Sequence, residues 1–247
     1  MLLREDQRLV EGDVLTALGW GSVAASSLII GALLALARSW RSGLVGAVLA
    51  FGAGALISSV AFELAQEGLR IGGPWSVAAG LAVGALAFFA ADRAVDKIGG
   101  RGGGAGGLPL AAGALLDGIP EQAVLGIGIA AGHGVSVALL IAIFVSNLPE
   151  SIGSASDMKS NGKSRRLVIG LWAGVSIICA AATLGGYALA DLAGGALKAG
   201  IDAFAAGALL VMLVDSMIPE ATRKAGNKAG LATVLGFAVA AALSNLT

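Results

Sequence analysis

Apolar runs long enough to cross a bilayer follow one another along nearly the whole 247-residue chain, and no other feature constrains its fold as much. A transmembrane helix needs about 20 mostly apolar residues. Eight segments meet or approach that length: Leu15 to Ala37, Gly43 to Ala65, Trp75 to Ala91, Leu108 to Ala131, Val135 to Asp157, Leu167 to Ala190, Ala199 to Ile218 and Ala229 to Leu246. Their connections are too brief for a second folded domain. Charged residues make up 13% of the chain, against roughly 25% in soluble domains. The expected fold class is therefore all-α, a polytopic membrane helix bundle of eight transmembrane helices, with residues 1–247 forming a single transmembrane domain.

The 16 basic and 16 acidic residues cancel, which argues against a nucleic-acid partner. Cys179 has no second cysteine to pair with and lies in an apolar run, where it reads as a small packed hydrophobe. Met1 to Asp13 mixes charges of both signs, unlike the basic start of a signal peptide, so the first helix is expected to be retained.

Basic residues concentrate in cytoplasmic loops. With eight spans and an outside N-terminus, the inside loops hold Arg38 and Arg41; Arg93, Lys97 and Arg101; Lys159, Lys163, Arg165 and Arg166; and Arg223, Lys224 and Lys228. Those twelve stand against Arg4, Arg8, Arg70 and Lys198 outside, so the expected location is an integral plasma (inner) membrane with both termini outside.

Residues 92–107 are expected to form a glycine-rich cytoplasmic linker, almost entirely glycine from Gly99 to Gly107. Gly102, Gly104 and Gly107 have the G-x-G-x-x-G spacing, but a dinucleotide site needs a strand before it, and here a membrane span stands on each side. Gly80 with Gly84, Gly128 with Gly132, and Gly170 with Gly174 are small-xxx-small pairs that let helix backbones approach closely.

Two internal repeats organise the chain. Phe51-Gly-Ala-Gly-Ala-Leu56 matches Phe204-Ala-Ala-Gly-Ala-Leu209, and at the same offset Glu67 matches Glu220. Five helices separate the copies, so they run through the membrane in opposite directions. The pattern is that of an inverted repeat, helices 1–3 and 6–8 around a central pair of helices 4 and 5.

The second repeat lies in that central pair. Leu116-Asp-Gly-Ile-Pro-Glu-Gln122 is followed 29 residues later by Val145-Ser-Asn-Leu-Pro-Glu-Ser151. Asp117 and Glu121 share one helical face, as do Ser146 and Glu150, with Asn147 three residues before Glu150. Pro120 and Pro149 remove one helical hydrogen bond each and mark expected kinks, and in a bilayer the freed carbonyls need a neighbour, a water or an ion. Each mid-membrane charge costs roughly 2.5–3.5 kcal/mol on insertion scales. No Lys or Arg lies in the centre of any span, and a bound cation would resolve the conflict. Neutral hydrogen-bonded acids or a water-filled cavity would do so as well.

These residues resemble the signature helices four and five of the ZIP family of divalent-metal transporters, which carry patterns of the type His-Asn-x-Pro-Glu-Gly. Asp117-Gly-Ile-Pro-Glu-Gln122 and Ser146-Asn-Leu-Pro-Glu-Ser151 follow that pattern, and Asp215-Ser-Met-Ile-Pro-Glu-Ala221 resembles the family's seventh helix. The resemblance implies metal ligands at Asp117, Glu121, Ser146, Asn147 and Glu150. It also marks departures: Asp117 and Ser146 stand where the family has histidine, Gln122 and Ser151 stand where it has glycine, and the sixth span carries no carboxylate. The chain would thus be a divergent prokaryotic-type member. An all-oxygen site suits Mg²⁺, Mn²⁺ or Ca²⁺ and can still hold Zn²⁺ or Fe²⁺, with less zinc selectivity than imidazole provides. The lone histidine, His133, reads as an ordinary loop residue.

The implied activity is secondary transport of divalent cations of the zinc, iron or manganese class toward the cytoplasm. No enzymatic role and no cofactor are expected, the metal ion being the substrate. Glu63 toward the outer end, and Asp157 and Asp215 toward the inner ends, would form an ion pathway; Glu67 and Glu220 fit that role or that of solvated helix ends. The partners implied are the lipid bilayer and the divalent cation, with a homodimer as an open option. Two other functions fit the same acids: a proton-coupled carrier of a small organic solute, and a metal-binding relative that does not transport.

Overall fold

The computed structural model describes residues 2–97, 107–131 and 135–244. Among the described residues all regular structure is helical. In chain order the helices are α1 (Leu2–Ala37), α2 (Ser42–Ser59), α3 (Gln66–Lys97), α4 (Gly107–Ala130), α5 (Val137–Ser160), α6 (Arg165–Asp191), α7 (Gly195–Met212), α8 (Ile218–Ala225) and α9 (Lys228–Ser244). Two π-helical segments, Val60–Ala65 and Leu213–Met217, join α2 to α3 and α7 to α8.

Side-chain caps fix two helix starts: Ser136 accepts the amide of Leu139 at 3.1 Å, and Ser164 accepts that of Leu167 at 3.3 Å. One helical run hides a division. Gly73 has φ 73° and ψ 178°, a conformation that glycine adopts readily, and Pro74 follows it. The chain from Ser42 to Lys97 is thus two rods that meet at Gly73.

Among the described residues, five segments are long and apolar enough to cross a membrane: Val14–Ala37, Ser42–Lys97, Val137–Ser160, Arg165–Asp191 and Gly195–Ala225. The second is the 56-residue run that breaks at Gly73, and α9 is a shorter apolar helix. Trp75, Ile177, Leu189, Val214 and Leu231 are exposed on the outside of the bundle, where lipid can cover them. The architecture is that of a helical membrane bundle.

Element boundaries depart from the expected ones in several places. The third helix continues to Lys97, so residues 92–97 of the expected linker are helical. Residues 98–106 of that linker, the end of the eighth span beyond Ser244, and His133 lie outside the described residues.

Helix pairing follows a two-fold scheme. The first helix packs on α5 and α6, α4 packs on α6, α2 packs on α9, and α3 packs on α7. Exchanging the first span with the sixth, the second with the seventh, the third with the eighth and the fourth with the fifth leaves this set of pairs unchanged. The π segments obey the same scheme. Val60 and Leu213 begin them, at the offset that relates Phe51 to Phe204. Gly54 and Gly207 are related in the same way. A Cβ at Gly54 would collide with the Thr233 carbonyl of α9, and one at Gly207 with the Leu81 carbonyl of α3. Each half therefore uses the same glycine to bring two backbones into contact.

Not every small-residue pair is used. Gly80 and Gly84 lie against Ala203 and Phe204 of α7, as expected. Gly170 and Gly174 have nothing within contact distance, because their side of α6 faces outward, and Gly128 touches only the tip of Leu139. Cys179 is free and fully buried in a cluster with Leu28, Met158 and Trp172. Lys159 Nζ donates to the carbonyls of Ala35 and Leu36 at 3.3 and 3.2 Å and so ties the end of α5 to the end of α1.

The backbone contact at Gly84 makes a stability prediction. Gly84→Ala should destabilise the protein by about 1–3 kcal/mol through overpacking against Phe204. Gly170→Ala, which enters open space, should stay within about 0.5 kcal/mol of the parent. Thermal unfolding of the purified protein in detergent compares the two.

Candidate cation site

The fourth and fifth helices both run through their prolines with helical backbone. Each proline therefore costs one hydrogen bond, to the carbonyl of Leu116 or of Val145, without dividing its helix. One of the two π segments, Leu213–Met217, lies beside this pair.

The two signature stretches meet. Ser146 Oγ of α5 lies 3.2 and 3.1 Å from the two carboxylate oxygens of Glu121 on α4, and 3.0 Å from the carbonyl of Ile143. Its single proton serves one of these acceptors at a time. Glu121 is 1% exposed and Ser146 is fully buried. Packing from α2 holds this contact in place: a Cβ at Gly52 would come within 2.8 Å of Ser146 Cα.

Asp117 turns to a different neighbour. Ser216 Oγ, in the π segment Leu213–Met217, donates to Asp117 Oδ2 at 3.1 Å. Asp117, Glu150, Ser216 and Glu220 line one small cavity together with Leu49, Met212 and Met217. Its volume is about 10 Å³, room for a single water-sized occupant. At its margin Glu220 accepts a hydrogen bond from Lys224 Nζ at 2.5 Å.

Asn147 is the most telling of the expected ligands. It is fully buried, and neither its amide oxygen nor its amide nitrogen has a hydrogen-bond partner. A buried polar atom left unpaired costs roughly 1–3 kcal/mol, and an amide oxygen is a good ligand for a hard cation.

The two departures from glycine have structural work. Gln122, fully buried, accepts a 2.9 Å hydrogen bond from Thr183 Oγ1 and links α4 to α6. Ser151 Oγ donates within α5 to the carbonyl of Asn147 at 2.9 Å and packs against Gly31 of α1.

Among the described residues, no group of three or more His, Cys, Asp and Glu side chains is gathered closely enough to hold a metal. Glu121 is engaged with Ser146, while Asp117, Glu150 and Glu220 border the cavity. Coordination here would draw on hydroxyl and amide oxygens as well as carboxylates.

The expected pathway residues scatter. Glu63, half-buried in the first π segment, accepts hydrogen bonds from Ser59 at 3.3 Å and Ser244 at 3.1 Å. Asp157 is exposed near the end of α5. Asp215 is exposed too, and it borders an apolar groove of about 820 Å³ between α3 and α7, not the cavity. Its neighbours Ser216 and Glu220 reach the cavity in its place. Glu67, half-buried, pairs with exposed Arg70 at 2.5 Å. Ser216 escaped the sequence reading. The signal that marks it is the repeat offset, which places it opposite Glu63.

No protein-family model matches the chain. Zinc transporter SLC39A7 of Mus musculus is 27% identical to it over 129 residues, which make up 50% of this chain and 27% of that protein. The match thus spans about a quarter of the relative's length. The likeness is to a zinc transporter, and with the apolar helices it marks a membrane protein.

The Ser146 contact is testable by a double-mutant cycle. Ser146→Ala should cost on the order of 1–3 kcal/mol by stripping a hydroxyl from buried Glu121. In a Glu121→Gln background the same change should cost clearly less. Equal losses in both backgrounds, read by thermal unfolding, would mean that the hydroxyl and the carboxylate act independently.

Proposed function

We propose that the chain is a secondary transporter of divalent metal cations, a divergent member of the ZIP family, and not an enzyme. The observation that carries this reading is the cavity inside an apolar bundle where Asp117 of α4 and Glu150 of α5 meet Ser216 and Glu220. The buried, unpaired amide of Asn147 one helical turn from Glu150 adds a ligand in need of a partner. The likeness to a zinc transporter points the same way.

In this reading Asp117, Glu121, Ser146, Asn147 and Glu150 supply oxygen ligands that replace the hydration shell of a cation on its way through the bilayer. Carboxylate, amide and hydroxyl oxygens accept Mn²⁺, Fe²⁺ and Zn²⁺ alike, with less preference for zinc than a histidine site has. The cation's charge offsets the cost of placing carboxylates in hydrocarbon. Eight rods cross the membrane with both termini outside: α1, the two halves of the Ser42–Lys97 run, α4, α5, α6, the continuous α7–α8 rod, and α9. Net flux is toward the cytoplasm and a gradient drives it. Glu63 stands on the outer side of the route.

Uptake of Zn²⁺, Mn²⁺, Fe²⁺ and Cd²⁺ into proteoliposomes tests the proposal. The parent should move at least one of them, and Glu121→Ala or Glu150→Ala should lower the rate by on the order of tenfold or more, the penalty of losing a charged partner of a buried ion. A parent that moves none of the four, or variants as fast as the parent, would overturn it.

A further inference from the structure

The acidic cavity has a cation of the chain's own at its margin. Lys224 Nζ donates to Glu220 Oε1 at 2.5 Å, and Glu220 lines the cavity with Asp117 and Glu150. Neither partner is freely solvated: the side chains of Lys224 and Glu220 are 21% and 28% exposed. The lysine also lies in a slot shaped for it. A Cβ at Gly153 of α5 would stand 2.6 Å from Lys224 Nζ, and one at Gly46 of α2 would stand 2.5 Å from Lys224 Cβ. Gly153 thus leaves room for the ammonium, while Gly46 admits Lys224 Cβ together with the α8 backbone at Ala221 and Ala225. An ordinary surface pair at this helical spacing needs no such accommodation.

Gly153 lies three residues after Glu150, on the same side of α5, so the slot brings the ammonium to the end of the helix face that carries the candidate ligands. Like charges close together repel strongly where water is scarce. A divalent ion that approaches Glu220 meets the repulsion of the ammonium already bonded to Oε1.

From this geometry we infer that Lys224 is a tethered competitor for the cation: its ammonium occupies Glu220 when the cavity is empty and is displaced when a divalent ion reaches that carboxylate. The inference rests on the reading of the cavity as a cation site and adds its regulation. The lysine weakens binding and favours release, which keeps a site rich in carboxylates from becoming a trap. Lys224 is a positioning residue and Glu220 is the ligand it contests.

Cadmium binding to the full chain in detergent micelles, followed by titration calorimetry, is the test. Lys224→Gln should tighten Cd²⁺ binding on the order of three- to tenfold by removing a nearby positive charge. Lys224→Arg should bind as the parent does. In a Glu220→Gln background the Lys224→Gln change should have no further effect, since the contested carboxylate is gone. Melting temperatures of the apo proteins are measured alongside. A folded Lys224→Gln variant that binds Cd²⁺ no more tightly than the parent overturns the role of Lys224 alone. A parent that binds no Cd²⁺ overturns the underlying reading of the cavity as well.

Discussion

Backbone-to-backbone contact between helices, made possible by glycine, is the constraint on which the remaining structure depends. Lipid offers apolar side chains no reason to prefer protein, so packing and interhelical hydrogen bonds must hold such a bundle together. Gly54 and Gly236 join α2 to α9, Gly84 and Gly207 join α3 to α7, and Gly126 and Gly186 join α4 to α6. Each contact would be blocked by a single Cβ. The same device reaches the site, because Gly52 sets α2 directly against the backbone of Ser146. Once the backbones are this close, hydroxyls as short as those of Ser146 and Thr183 can span from one helix to the next.

The polar interior is built on that framework. Three of its carboxylates are met by hydroxyls: Glu121 by Ser146, Asp117 by Ser216, Glu63 by Ser59 and Ser244. A serine hydroxyl can donate to an ionised acid and equally accept from a protonated one. It can also turn its oxygen toward a cation. A basic partner would have neutralised the acids permanently, whereas these partners leave them available. The Lys224–Glu220 pair departs from this pattern at the margin of the cavity.

Much of this was legible before any coordinates. The duplicated Pro-Glu stretches stand out in the sequence as one polar constellation, and from them Glu121 of α4 and Ser146 of α5 meet. The π segments and the glycines Gly54 and Gly207 follow the offset of the Phe51 and Phe204 repeat. What stayed hidden was contact between residues far apart in sequence with no local pattern. Ser216 meets Asp117 across 99 residues, and Thr183 meets Gln122 across 61. Gly170 and Gly174 show the opposite limit, since their spacing is that of a packing motif while their face of α6 has no helix against it. Asp215 sits in a π segment, where helical phase differs from that of a regular helix, and it borders the groove between α3 and α7.

That phase shift has its own significance. A π turn takes up one residue more than an α turn, and each residue advances an α-helix by about 100°. The segment Leu213–Met217 therefore resets the angular position of everything after it on the same rod, including Glu220 and Lys224. A chain one residue shorter here would regain an unbroken α-helix and swing Glu220 roughly a quarter turn around the axis, off the cavity. Val60–Ala65 stands in the same relation to Glu67. The two inserted residues work as paired angular offsets, each setting which side of its rod the final polar residues present.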